Sequence, residues 1–135
     1  TDSELLEIDV TDRYGNRPVR IRFDVDGKIK AVDGRKEVVI QSYKPNSWYN
    51  LKITVDARPF GIYNLSVNGT QLLKNAELAE AVQSVERISF RTGPYRDQPN
   101  RQTPNQEPAP PLKGADDPVS IAEFYLDDFR VKSIL

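Results

Sequence analysis

The chain has 135 residues, nineteen basic and twenty acidic, and a formal charge of −1, so one domain with its own core is expected and no global field draws it to nucleic acid or an anionic surface. No run of about 18 apolar residues is present to span a bilayer. The absence of cysteine excludes a disulfide scaffold, thiolate zinc sites and a cysteine nucleophile, and the absence of histidine removes the commonest general base and metal ligand.

The first residues, TDSELLEI, have neither a charged start followed by an apolar stretch nor an initiator methionine, so Thr1 is expected to open a processed or excised piece of a longer protein. Period-2 alternation then dominates. Leu6, Ile8 and Val10 alternate with Glu7, Asp9 and Thr11. After a turn at Tyr14-Gly15-Asn16, Val19, Ile21, Phe23 and Val25 alternate with Arg20, Arg22 and Asp24. Asp26-Gly27 and Asp33-Gly34 carry the signal of two-residue hairpins, since both residue types tolerate positive φ. Val38, Val39 and Ile40 form a β-branched strand within residues 37–42.

Trp48 and Tyr49 stand before a strand with Leu51, Ile53 and Val55 on one face, and Tyr63, Leu65 and Val67 line the next, ending in an Asn68-Gly69 turn into Gln71-Leu72-Leu73. Only AELAEAV, 76–82, reads as helical, about two turns with Asn75 as N-cap. Strand character returns over 85–91 and again over 121–131. Strands at this spacing give an all-β chain, an antiparallel sandwich with one short helix. Residues 93–118 hold seven of the ten prolines and almost no aliphatic side chains. This stretch is expected to be a long loop within the single domain 1–135: packed across one face, forming the rim of a binding site, or mobile.

WYNLKITVD at 48–56, IYNLSVNG at 62–69 and FYLDDFRV at 124–131 together resemble the concanavalin A-like lectin/glucanase superfamily, most closely the LamG-type jelly rolls of bacterial polysaccharide-processing proteins. RIRFDVDGKI at 20–29 fits the same habit of strand, Asp-Gly turn and return strand. The resemblance implies a jelly-roll fold and a carbohydrate-binding role, although fold does not fix function. Such jelly rolls begin with one or two further strands, so the chain is expected to lack them and to expose an edge unless sequence upstream supplies a cover.

For polysaccharide recognition the densest candidates are Arg91, Tyr95 and Arg96, extended by Arg101. Arginine matches the carboxylate of an acidic sugar and tyrosine can stack on its ring. The favoured reading is instead structural: Arg91 forms an ion pair with Asp97 or an acid of the last strand while Tyr95 pins the loop. Arg20, Arg22 and Arg87 form either a basic stripe or, as favoured, cross-strand pairs with Asp and Glu. Trp48, the only tryptophan, is either a stacking platform or, as favoured, a core or sheet-edge anchor. The sequons at Asn64 and Asn68 read as structure, a strand and a turn.

No cofactor is expected. The resemblance brings in calcium, for which Asp33, Asp56, Asp97, Asp116-Asp117 and Asp127-Asp128 are candidate ligands, although no D-x-D-x-D-G loop is present. The superfamily's E-x-D-x-x-E glucanase motif is absent, since Glu77-Leu78-Ala79-Glu80 lacks the central aspartate, and catalysis by this chain is not expected. The leading function is a non-catalytic carbohydrate-binding module, secreted or periplasmic and bacterial, for acidic glycans. The alternative is a structural sandwich that packs on a glycoside hydrolase or polysaccharide lyase domain and shapes its cleft. The third is a lyase or hydrolase using tyrosine and arginine. The expected partners are a polysaccharide or oligosaccharide and other domains or strands of the same parent protein, with neither nucleic acid nor a membrane span.

Overall fold

The computed structural model describes residues 5–58, 61–92 and 123–132. Eight strands are present among them: β1 (Leu6–Thr11), β2 (Val19–Phe23), β3 (Lys28–Asp33), β4 (Lys36–Ser42), β5 (Leu51–Asp56), β6 (Ile62–Val67), β7 (Thr70–Glu77) and β8 (Arg87–Thr92). They form two antiparallel sheets in a sandwich, one in the order β4-β3-β2-β1-β8 and the other β5-β6-β7. β1 is interior, paired with β2 on one side and β8 on the other.

The inward positions of both sheets make the core: Ile8, Val10, Val19, Ile21, Ile29 and Ala31 from the larger, and Tyr63, Leu65, Val67 and Ala76 from the smaller. Each large aliphatic side chain buried this way contributes about 1.5 to 3 kcal/mol. The sheets are also joined by polar links. The Tyr63 hydroxyl donates to the Val32 carbonyl at 2.5 Å, Glu77 N–H to Asp33 Oδ1 at 2.8 Å, and Gly34 N–H to the Glu77 carbonyl at 2.8 Å.

The turns follow their residues, with shifts. Asn68 and Gly69 both adopt positive φ, 51° and 84°, as a two-residue hairpin of the primed type requires. At Asp33-Gly34 the turn moves on by one residue, because Asp33 pairs with Lys36 and Gly34 takes the positive φ of 65°. At Asp26-Gly27 the loop is longer than two residues. Asp24 N–H donates to the Lys28 carbonyl, and Val25, expected on the inward face, lies exposed in the turn.

Two expected elements differ. The short helix over 76–82 is absent: β7 runs through Ala76 and Glu77, which pair with Tyr63 and Ile62. A helix of about two turns is marginal in water, and burial of Ala76 with sheet pairing outweighs its propensity. Asn75, in place of capping, sits at positive φ in an irregular stretch of the β6–β7 ladder, its N–H held by Asn64 Oδ1 at 2.7 Å. The strand expected over 121–131 is not formed by residues 123–132, which are exposed and unpaired with any sheet among the described residues. There apolar and acidic residues come in adjacent pairs, Tyr125-Leu126 and Asp127-Asp128, which breaks strict alternation. The proline-rich loop, 93–118, lies outside the described residues.

Candidate functional site

The sandwich has one end at which β1 begins and β2, β4 and β8 finish, and the connection from β4 to β5 crosses between the sheets there. Arg91 lies near this end, one residue before β8 stops. Trp48 lies in the β4–β5 connection.

The outer face of the larger sheet carries a charged row set by register. Glu7 on β1 stands between Arg22 on β2 and Arg91 on β8, and Asp9 stands between Arg20 and Ser89. Both carboxylates are 1 % exposed, although the alternation had placed them on the polar face. Arginines cover them. Glu7 is reached by Arg91, by Arg17 Nη1 at 3.1 Å and by Arg22 Nη2 at 3.3 Å. Asp9 Oδ2 is met by Arg91 Nε at 3.2 Å and by Arg17 Nη1 at 3.7 Å. Arg22 also reaches Glu37 at 3.4 Å, and Arg20 binds Glu80. Cross-strand pairing therefore accounts for Arg22, and a glutamate in the β7–β8 connection for Arg20. Arg87 is exposed opposite Thr11.

Arg91 thus forms an ion pair, as favoured, here with Glu7 and Asp9 of β1; Asp97, one of the partners foreseen for it, lies outside the described residues. Tyr95, Arg96 and Arg101 lie outside the described residues. Glu7 and Asp9 were legible as partners once LEIDV and VRIRF are laid antiparallel. Arg17, which completes the cluster from the β1–β2 loop, carried no such signal.

Burial pushes the Asp9 carboxyl above its ordinary 3.8, and the attraction of Arg17, Arg20 and Arg22 only partly offsets this. Its Oδ1 has no hydrogen-bond partner among the described residues. A carboxyl raised in the folded state contributes most to stability below its unfolded value, and that contribution is lost as pH rises through the folded value. As pH rises above the ordinary carboxyl range the wild type should therefore lose stability from this group, and Asp9→Asn should lack that loss. Urea midpoints of both proteins across this rise check it, and parallel profiles would contradict it.

Trp48 is the main correction at this end. It is 68 % exposed and precedes the strand, which starts at Leu51, so it anchors neither core nor sheet edge. The aromatic anchors are its neighbours. Phe23, Tyr43 and Tyr49 pack edge to face at centroid distances of 5.1 to 6.4 Å. The Tyr43 hydroxyl donates to the Asp24 carbonyl at 2.6 Å, and Lys44 N–H donates to the Tyr49 hydroxyl at 2.8 Å. Burial works to raise the Asp24 carboxyl, but the Lys30 ammonium at 2.8 Å, the Val25 N–H and the charge of Arg22 together outweigh it and hold the group below 3.8.

The candidate calcium ligands among the described residues are engaged by neighbouring groups. Asp33 accepts from Glu77 N–H, and Asp56 is clamped by Arg58, whose hydrogen bonds hold its carboxyl at about 2. Asp128 pairs with Arg130, and Asp97, Asp116 and Asp117 lie outside the described residues. Among the described residues no group of three or more acidic side chains is placed to hold a metal ion. No helix there is long and apolar enough to cross a membrane.

A solved structure of a sialidase shares the fold, with a TM-score of 0.66 and 24 % identity, over 82 % of this chain and 10 % of that one. The chain thus spans about a tenth of the length of that sialidase. No curated protein matches the chain. The model of the family described as "Sialidase-like, CBM domain" matches residues 1–107, which include the eight strands found among the described residues. The chain belongs to this sialidase-like CBM family and is a non-catalytic carbohydrate-binding β-sandwich module.

Proposed function

We propose that this module is part of a secreted or periplasmic bacterial glycan-processing protein, and that it holds acidic glycans near a catalytic domain of sialidase type elsewhere in that protein. The family match over residues 1–107 carries the reading, and the resemblance of 48–56 and 62–69 supports a concanavalin A-like, LamG-type jelly-roll ancestry. Arg91, tied to Glu7 and Asp9, stands just before the segment that carries the other candidates. Tyr95, Arg96 and Arg101 on that segment are the groups proposed to meet the sugar carboxylate, with tyrosine stacking and arginine presenting its planar fork.

Affinity electrophoresis in gels containing a sialylated glycoprotein tests this. Retardation is expected, at least about tenfold weaker after enzymatic desialylation or in a Tyr95→Ala/Arg96→Ala variant, which is the loss of one or two charge-assisted contacts. Equal retardation before and after desialylation would overturn the acidic-glycan reading.

A second reading, docking against a neighbouring catalytic domain, is favoured by one observation. Phe124, Tyr125, Leu126, Phe129 and Val131 are all exposed, and Phe129 touches the sandwich at Phe90 across 5.9 Å. Apolar residues displayed together in this way fit a surface covered by another part of the parent protein.

A further inference from the structure

We infer that Trp48 is a preformed stacking platform for a neutral hexopyranose, a second sugar site separate from the segment after Arg91. This rests on the chain being a carbohydrate-binding module. Leaving most of an indole in water forgoes a large burial term, so its position needs a reason. The connection that carries it is held in place without it. Tyr43 N–H donates to the Gly27 carbonyl at 2.9 Å, Asn50 N–H to Asn68 Oδ1 at 2.8 Å, and Asn68 N–H to the Asn50 carbonyl at 2.8 Å. The Phe23–Tyr43–Tyr49 cluster fixes the side facing the sandwich, and Asn46 adopts a φ of 59° at the bend. Trp48 is therefore displayed on a braced loop, so little ordering entropy is lost when a ligand covers it.

The surroundings select the ligand. Lys44, Asn46, Ser47 and Asn50 are exposed on the same connection, suited to the hydroxyl rim of a sugar whose C–H face lies on the indole. Lys30, at the strand beside this connection, is matched: its Nζ lies 2.8 Å from Asp24 and 2.9 Å from Asp26. No arginine lies on this connection, so its chemistry suits an uncharged ring better than a carboxylate.

Because Trp48 is the only tryptophan, the chain's indole emission reports on this site alone. Titration with the neutral disaccharides lactose and cellobiose should change the emission saturably for at least one of them. Trp48→Ala should weaken binding of that sugar, measured by calorimetry, by at least about tenfold. Trp48→Phe should retain part of it, and the urea midpoint should stay unchanged in both variants. Calorimetric binding without an emission change, or undiminished binding by Trp48→Ala, overturns the platform and leaves the carbohydrate-binding reading standing. Absence of binding to these sugars and to every acidic glycan tried overturns both.

Discussion

Glu7→Gln is expected to lower the unfolding free energy by about 3 to 5 kcal/mol, the range for breaking a buried ion pair by removing one partner. The carboxylate is almost fully buried and is shared by Arg17, Arg22 and Arg91, so its loss leaves Arg17 and Arg91 with Asp9 as their remaining acid among the described residues, and Arg22 with Glu37. Arg17 is itself buried and cannot turn to water without opening the β1–β2 loop. The effect should be sub-additive with Arg91→Gln, since the second substitution removes one of the charges stranded by the first. Urea unfolding of the two single variants and the double variant measures this. A loss below about 1 kcal/mol for Glu7→Gln would mean that solvent or backbone readily replaces the carboxylate, as at an exposed pair.

The second large effect is expected at Tyr63. It is fully buried on the central strand of the smaller sheet, and its hydroxyl reaches across the sandwich to the Val32 carbonyl. Tyr63→Ala should cost about 3 to 5 kcal/mol, the sum of lost apolar contact and the cavity left behind. Tyr63→Phe keeps the ring and removes only the bridge, so it should cost about 1 kcal/mol. Burial holds this phenol above its usual value, so it stays a donor throughout the ordinary pH range. Equal losses in the two variants would place the energy in the hydrogen bond and contradict the packing account.

Much of this was legible in the sequence because the core writes itself as alternation. Ile8 and Val10, Val19 and Ile21, and Tyr63, Leu65 and Val67 were all placed inward from period alone, and each is buried. Alternation reports which residues share a face, not whether the other face is wet. Glu7 and Asp9 were on the expected side of β1, yet that side is sealed because Arg17, Arg22 and Arg91 lie over it. The short helix at 76–82 failed because local propensity over about two turns is weaker than the pairing of Ala76 and Glu77 with β6.

For the site, sequence located the root of the candidate segment but not its partners. Arg91 was weighed as a sugar contact against an ion pair, the favoured reading; the acids it meets lie more than eighty residues earlier in the chain, and only sheet topology brings them together. Trp48 was assigned to the fold because it stands before an alternating strand. Nothing local distinguishes a tryptophan that packs from one that is displayed when the packing is already done by Phe23, Tyr43 and Tyr49.

The central claim is that this sandwich binds carbohydrate and does so without chemistry of its own. A glycan array probed with the 135-residue chain tests it most directly. The account predicts reproducible binding to a restricted set of glycans, sialylated structures among them, with the bound glycans left intact. A chain that gives a cooperative unfolding transition yet binds no glycan on the array would contradict it.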